Sequence, residues 1–182
     1  DLTGPFVEKS AEQKGHCRIL DLGTGTGILA LTLLTLARNA TAIGVDISEG
    51  ALVVAQQNAR VLGLAGRFTA LQSNWFADVT GEFDVIISNP PYIPRHEIAG
   101  LDRDVKDFDP HLALDGDVDG LNAYALIASR ALGFLKPGGI VAVEVGHDQA
   151  ASVSAIFEAA GFKSGQIAKD LAGRDRAILF KP

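Results

Sequence analysis

Short apolar runs typical of β-strands alternate with longer stretches of helical character along most of the chain. The strand-like runs lie at 18–22, 41–46, 67–72, 82–88, 140–145, 165–169 and 177–180, and the helical stretches lie at 28–38, 49–62, 121–135 and 148–160. Strands that alternate with helices predict a parallel sheet with helices on both faces. The last two strands follow each other closely, so we expect an antiparallel hairpin at the sheet edge. The predicted fold is therefore α/β, with a doubly wound, mostly parallel seven-stranded sheet.

Two segments interrupt this alternation. Residues 1–17 are polar and weakly patterned, and we interpret them as a leader, a frayed helix or the remnant of an upstream segment. Residues 93–120 are rich in Pro, Asp and Gly without a clear period, and a loop of that length inside a compact domain is usually functional or disordered. The chain therefore divides into residues 1–17 and one domain at 18–182.

The composition limits the environment and the class of partner. The 182 residues are 47% hydrophobic and 21% charged, which is ordinary for one globular domain. The longest apolar stretch, at 28–37, is far too short to span a bilayer, and the single cysteine, Cys17, excludes an internal disulfide. We therefore expect no membrane contact and a cytoplasmic location. The chain contains no methionine, so we expect it to be a piece of something longer. A net charge of -6 argues mildly against sequence-independent binding of nucleic acid, although a local basic patch would still allow it.

A glycine-rich turn follows the first predicted strand. Gly23, Gly25 and Gly27 let the backbone turn sharply and lie close to a ligand, and the next helix points its free N–H groups at that ligand. Ile28 stands where the dinucleotide-binding fingerprint G-x-G-x-x-G has its third glycine. The Asp21 carboxylate would repel a pyrophosphate but attract an ammonium or sulfonium group. The turn therefore indicates S-adenosylmethionine (SAM), which carries such cations and no phosphate; the alternative is a plain strand-to-helix turn.

Two further segments suit the rest of such a cofactor. Asp46 ends the second strand, where a carboxylate can accept hydrogen bonds from both ribose hydroxyls; alternatively, Asp46 or Ser48 caps the following helix. Asn74 and Trp75 follow the third strand, where Asn74 can bond the adenine edge and Trp75 can cover its face. The alternative for Trp75 is a side chain that fills the core near a strand end. Both roles place the ligand beyond the carboxyl ends of strands, as in other doubly wound sheets.

The sequence Asn89-Pro90-Pro91-Tyr92 follows the fourth strand and indicates methyl transfer to a planar nitrogen. An amide or aniline-like nitrogen is a weak nucleophile because its lone pair is delocalised. The Asn89 side-chain oxygen and the Pro90 carbonyl can accept its N–H groups and hold the nitrogen in line with a methyl group. Pro91 stiffens the turn, and Tyr92 supplies a flat wall. These four residues are the predicted catalytic set; the alternative is an ordinary Pro-Pro turn.

Together these motifs resemble class I SAM-dependent methyltransferases that modify planar nitrogens. The surroundings resemble more specifically the HemK/PrmC family, which methylates glutamine N5 in peptide-chain release factors. The matching segments are 21–27 (DLGTGTG), 44–48 (GVDIS), 73–76 (SNWF), 83–93 (FDVIISNPPYI), 109–110 (DP), 113–114 (AL) and 119–121 (DGL) with Tyr124. The segments after Tyr92 best distinguish the HemK/PrmC family from nucleic-acid N-methyltransferases, because those enzymes share the earlier motifs. The resemblance covers about residues 18–182 and implies a Rossmann-like class I methyltransferase fold.

The resemblance also implies roles for individual residues. Residues 23–27, Asp46, Trp75 and Asn89 would touch SAM, and residues 89–92 would hold the glutamine amide. The full predicted cofactor set is Asp21, Gly23, Thr24, Gly25, Thr26, Gly27, Asp46, Ile47, Asn74, Trp75 and Asn89. The product would be S-adenosylhomocysteine, and the predicted partner is a peptide-chain release factor.

The chain departs from the family pattern in three respects. Asn74 stands where the family often has Asp, and Asp109-Pro110 stands where it often has Glu-Pro. The small helical N-terminal domain that helps the family recognise the release factor is not recognisable. We therefore expect a catalytic domain without that domain, which binds SAM well and its protein substrate poorly.

Two other functions stay open at this point. An RNA or DNA N-methyltransferase acting on adenine or guanine needs the same kind of turn and a flipped or unpaired base, but the acidic balance and residues 119–121 favour the protein substrate. A non-catalytic nucleotide-binding module would need no amide clamp such as Asn89. His96, His111 and His147 show no paired spacing on a helix, so we predict no metal site.

Overall fold

The structure is a computed structural model that describes residues 3–94, 96 and 119–182. Its strands are β1 (Cys17–Leu22), β2 (Ala40–Asp46), β3 (Phe68–Gln72), β4 (Phe83–Ser88), β5 (Leu135–Glu144), β6 (Lys163–Lys169) and β7 (Asp175–Lys181). Its helices are α1 (Gly4–Lys14), α2 (Ile28–Leu36), α3 (Glu49–Val61), α4 (Asn122–Ala131) and α5 (Ala150–Ala159), with a 3-10 turn at Leu132–Phe134. Most of the predicted loop at 93–120, together with His111 and the resembling segments 109–110 and 113–114, lies outside the described residues.

The strands form one sheet in the order β3-β2-β1-β4-β5-β7-β6. The pairs β3–β2, β2–β1, β1–β4 and β4–β5 are parallel, whereas β7 runs antiparallel to both β5 and β6. This confirms the predicted α/β fold with a mostly parallel seven-stranded sheet and an antiparallel edge hairpin. The strand order reverses between β1 and β4, so the switch point, where such sheets bind ligands, lies between those two strands.

Two apolar layers explain the burial pattern of the central strands. One core lies between the sheet and α1, α2 and α3, and the other lies between the sheet and α4 and α5. All six residues of β4 are buried, because this strand has neighbours on both edges and covered faces on both sides. The edge strand β6 is mostly exposed. The middle of the sheet is therefore rigidly held, and its carboxyl edge is available for the connecting loops.

The boundaries agree with the sequence predictions to within two residues, except at β5 and at the helix before it. β5 begins at Leu135, which pairs with Phe83, and the register then shifts so that Ile140 pairs with Val85. The Pro137-Gly138-Gly139 segment lies inside this shift. The helix predicted at 121–135 ends at Ala131, because residues 132–134 tighten into the 3-10 turn before Leu135 enters the sheet.

The segment before the first strand contains a packed helix. α1 buries Val7 completely in the core that it shares with α2 and β1. Within residues 3–94, 96 and 119–182, the structure contains no helix of the length and apolarity needed to cross a membrane.

Candidate active site

The predicted site residues follow four neighbouring strands at one edge of the sheet. β3, β2, β1 and β4 are adjacent and parallel, so their carboxyl ends share that edge. The segments 73–76, 46–48, 23–27 and 89–92 follow these strands in the same order. The structure thus brings the glycine turn at 23–27 and the Asn89–Tyr92 turn together, on either side of the switch point between β1 and β4.

The glycine turn after β1 has a backbone that only glycine adopts readily. Gly23, Gly25 and Gly27 have φ angles of 67°, 54° and 83°, in the left-handed region. At Gly27 a Cβ atom would also approach the Ala55 side chain of α3 to 3.2 Å. The Thr24 N–H bonds the Val45 carbonyl at 2.9 Å, which ties the turn to β2. The glycines therefore set both the shape of the turn and its close packing on α3.

Asp21 is a buried carboxyl group beneath this turn. One oxygen, Oδ2, accepts hydrogen bonds from the Thr24 hydroxyl at 2.7 Å and the Ala30 N–H at 3.3 Å. The other oxygen, Oδ1, is buried without a hydrogen-bond partner among the described residues. Burial raises the pKa of Asp21 from 3.8 to about 6; the bonds from Thr24 and Ala30 oppose that rise, and the charge of Asp46 adds to it. Since a buried carboxylate is costly without a partner, a cation at this strand end would stabilise its charged form.

Asp46 connects the glycine turn to the start of α3. Its Oδ2 accepts the Gly25 N–H at 2.9 Å, and its Oδ1 accepts the Ser48 N–H at 2.9 Å. Ser48, not Asp46, is the N-cap of α3, because its hydroxyl accepts the Ala51 N–H at 3.2 Å. Each carboxylate oxygen of Asp46 keeps further acceptor capacity, and the residue is only half-buried. Asp46 is therefore fixed in place and still able to accept hydrogen bonds from a ligand.

The segment after β3 holds Trp75 in an uncommon conformation. Trp75 has a φ of 54° and is the one residue other than glycine with positive φ among those described. The buried Ser73 hydroxyl donates to the Trp75 carbonyl at 3.0 Å and accepts the Asp78 N–H at 3.0 Å. Phe76, rather than Trp75, is the fully buried aromatic residue at this strand end. A half-buried indole held in this way presents part of its surface at the carboxyl edge of the sheet, next to the exposed Asn74.

The Asn-Pro-Pro-Tyr turn is anchored at both ends. Just before it, the Ser88 hydroxyl donates to the Leu22 carbonyl at 2.7 Å, which joins β4 to β1. At its other end, the Gln149 side-chain amide donates to the Tyr92 carbonyl at 2.9 Å. Between these anchors Asn89 is exposed, while Pro90 is buried. The turn therefore leaves the Asn89 side chain exposed on a backbone that is held on both sides.

Several residues that contact these motifs were not predicted from the sequence. The Arg176 guanidinium carbon lies 5.7 Å from the centre of the Tyr92 ring, and Arg176 also pairs with Glu144 at 2.9 Å. Asn58 on α3 donates to the Thr26 carbonyl at 3.0 Å. These residues lie far along the chain from the motifs that they contact. Gln149, which donates to the Tyr92 carbonyl, was also not predicted. Its position just after β5, the strand beside β4, is the sequence feature that could have indicated it.

Tyr124 is one of the residues that carry the resemblance to the HemK/PrmC family, and it lies in the core. Its side chain is fully buried, and its hydroxyl donates to the Glu144 carbonyl at 2.8 Å. Burial raises the pKa of the Tyr124 phenol above its usual range, so the hydroxyl stays neutral and acts as a donor. Tyr124 therefore supports the end of β5. Within the part of the chain that the structure describes, no group of three or more His, Cys, Asp or Glu residues is arranged to hold a metal ion.

Comparisons with known proteins show the family of this chain. A family model described as a methyltransferase domain matches residues 13–172. The chain is 48% identical to the release factor glutamine methyltransferase of Agrobacterium fabrum over 177 residues, which cover 97% of this chain and 61% of that protein. It is 44% identical to the release factor glutamine methyltransferase of Moorella thermoacetica, over 97% of this chain and 64% of that protein. The chain thus spans less than two thirds of the length of these relatives.

Solved structures show the same fold. A ribosomal protein L11 methylase from Lactobacillus delbrueckii subsp. bulgaricus superimposes with a TM-score of 0.68, over 98% of this chain and 76% of that one. The two sequences are 19% identical. This likeness supports the fold alone.

Proposed function

This chain belongs to the methyltransferase domain family, and from that premise we propose that it transfers a methyl group from SAM to the side-chain amide nitrogen (N5) of a glutamine in a peptide-chain release factor. The observation that carries the proposal is the position of the Asn89–Tyr92 turn, directly across the switch point from the glycine turn. The acceptor class is supported by the names of the two relatives, both release factor glutamine methyltransferases.

The residues at the ends of β1, β2 and β3 fit SAM. When bound, SAM supplies an electrophilic methyl group on a positively charged sulfur. The Asp21 charge favours cations at the end of β1, and the glycine turn lets the backbone approach the ligand closely. Asp46 would accept the ribose hydroxyls, with Ile47 exposed beside it. Asn74 and Trp75 would bind the adenine edge and face.

The Asn89–Tyr92 turn would hold the glutamine amide. The Asn89 side-chain oxygen and the Pro90 carbonyl accept the two N–H groups of the amide, so its lone pair points at the methyl group. Holding the nitrogen at attack distance lowers the barrier through positioning, within the roughly 7–11 kcal/mol that ideal orientation can supply. The proton leaves after the nitrogen is methylated, because it becomes acidic only then. No side chain therefore has to act first as a base, and the nearby Glu144 is already paired with Arg176.

The proposed partner and location follow from this substrate. A release factor brings the glutamine to the exposed Asn89 end of the turn. Because the relatives' names connect the reaction to translation, we also propose that the protein acts in the cytoplasm.

Labelled methyl transfer tests the proposal directly. The chain is incubated with SAM labelled at its methyl group and either an unmethylated bacterial release factor or total RNA, and the labelled residue is mapped. We expect label on one glutamine of the release factor, and none when that glutamine is replaced by glutamate. Label on RNA alone would overturn the protein substrate and leave the family and fold unchanged.

A further inference from the structure

The carbonyl group of Tyr92 is held by a side chain from a distant part of the chain. Gln149 donates its Nε2–H to the Tyr92 oxygen at 2.9 Å, and its Oε1 accepts the Gly146 N–H at 3.1 Å. One partner can only accept and the other can only donate, so the orientation of the amide is unambiguous. The amide therefore links the Asn89–Tyr92 turn to the loop that follows β5.

Two glycines leave space for this amide. A Cβ atom at Gly120 would lie 2.2 Å from the Tyr92 oxygen and 2.7 Å from Gln149 Nε2. A Cβ atom at Gly146 would lie 2.8 Å from Gln149 Oε1. Both distances to Gln149 are shorter than real Cβ contacts, so no other residue fits at either position without a shift. The space next to Gly120 and Gly146 is therefore occupied by the Gln149 amide.

The bond to Tyr92 holds the exit of the Asn89–Tyr92 turn. Pro90 and Pro91 have fixed φ angles and no N–H groups, so the middle of the turn offers no backbone donor that could hold it. Its entry is fixed by the Ser88 bond to β1, and its exit is fixed by Gln149. Loss of the exit bond would therefore leave the Pro90 carbonyl held from the Ser88 end alone.

We propose that Gln149 is a positioning residue that aims the acceptor groups of the Asn89–Tyr92 turn by donating a hydrogen bond to the Tyr92 carbonyl. This inference rests on the proposed function of the turn. The competing explanation is that Gln149 only fills space at the start of α5, where its backbone carbonyl accepts the Val153 N–H at 2.9 Å.

The Gln149→Glu variant separates the two explanations, because glutamate has the same shape but, when charged, cannot donate to a carbonyl. At pH 8 and saturating SAM and release factor, we expect kcat to fall about 10-fold or more, as for an acceptor left without its donor. The dissociation constant of SAM should stay within about 2-fold, because the cofactor contacts are not altered. Gln56→Glu, the same charge change on the exposed face of α3, should leave kcat at the wild-type value.

The pH profile gives a second readout. As pH falls, the introduced carboxyl group becomes protonated and regains a donor, so the ratio of variant to wild-type kcat should rise. Among the described residues, Glu144 and Arg176 pair with each other beside Tyr92, and Asp119, His147 and Asp148 are exposed in the segments next to Gly120 and Gln149. They are present in both proteins, so the ratio isolates the introduced group.

Three results would overturn the inference: a Gln149→Glu kcat within about 2-fold of wild type, a ratio that does not change with pH, or a loss of SAM affinity as large as the loss of kcat. Hydrogen exchange of the peptide at 88–94, followed by mass spectrometry, decides the matter without catalysis. It should quicken in Gln149→Glu and stay unchanged in Gln56→Glu. If the wild-type protein labels no release factor, the proposed function is wrong. The hydrogen-exchange measurement still tests whether Gln149 holds the Asn89–Tyr92 turn.

Discussion

The two halves of the site are held in place in different ways. Each segment of the cofactor region (residues 21–27, 46–48 and 73–75) is shaped by bonds between near neighbours, such as Thr24 to Asp21, three positions apart, and the Gly25 bond to Asp46, 21 positions apart, joins two of the segments. The acceptor turn (residues 89–92) is fixed by Ser88 on Leu22, 66 positions apart, and by Gln149 on Tyr92, 57 positions apart. The local shape of each cofactor segment is therefore determined by a short motif, whereas the position of the acceptor turn depends on the assembled sheet.

This contrast predicts separate effects on the reaction. Changes in the acceptor turn should lower kcat with little effect on SAM affinity, and changes in the cofactor region should lower SAM affinity first. The comparison fails if both kinds of change alter both quantities to the same extent.

The largest effect is expected for Asn89→Ala. Removing the side-chain acceptor should lower kcat by about 100-fold or more, as for loss of one group that stabilises developing charge. SAM affinity, measured by calorimetry, should stay close to wild type. Asn39→Ala, at an exposed asparagine in the loop before β2, is the control. Unchanged turnover in Asn89→Ala would remove Asn89 from the proposed clamp.

Asp21→Asn should change how stability depends on pH. The folded pKa of Asp21 is about 6 and the usual value is 3.8, so between these values the folded state binds more protons than the unfolded state. The free energy of unfolding therefore falls as pH rises through this window, by about 3 kcal/mol at 1.36 kcal/mol per pKa unit. Asparagine keeps an oxygen for Thr24 and Ala30 but cannot ionise.

Urea unfolding of wild type and Asp21→Asn at a series of pH values from 3.5 to 7.5, without SAM, checks this expectation. The difference in unfolding free energy between the two proteins should shift in favour of the variant as pH rises from about 4 to about 6. Any fixed cost of the new NH₂ group does not depend on pH. A difference that stays constant across the series would show that Asp21 ionises normally.

Asp46→Ala should weaken SAM. The loss of a fixed acceptor for the ribose hydroxyls corresponds to about 1–3 kcal/mol, or roughly 5-fold to 150-fold in the dissociation constant. Part of the effect arises because the Gly25 and Ser48 N–H groups lose their partner. Calorimetric titration with SAM measures it, with Glu8→Ala on α1 as a control for lost negative charge. Equal affinity in Asp46→Ala and wild type would restrict Asp46 to shaping the turn.

The smallest effect is expected for Ser73→Ala. This change leaves the Trp75 carbonyl and the Asp78 N–H without their shared partner, which should weaken SAM about 5-fold, or about 1 kcal/mol. Trp75 is the single tryptophan of the chain, so its fluorescence reports the change directly. Ser164→Ala on β6 is the control. The Ser73 role is wrong if the emission spectrum and the affinity both match wild type.

The predicted strands were found because apolar runs bounded by turn residues are local signals. The exception at β5 has a clear cause: Leu135 pairs with Phe83 before the Pro-Gly-Gly segment, and a strand interrupted by such residues does not look like a strand in sequence. The choice between Asp46 and Ser48 as helix cap also required the structure, since both side chains are acceptors at suitable positions.

The sequence by itself determined the fold class and the two motifs, because glycine spacing and strand periodicity depend on residues that are close along the chain. Only the tertiary structure decided which distant groups complete the site. It brought Gln149, Arg176 and Gly120 against Tyr92 and Gly146 against Gln149, and it left one oxygen of Asp21 buried without a partner among the described residues. The physical reason is that most of these contacts join segments that follow different strands, and the order of strands in a sheet is set by the packing of the whole domain.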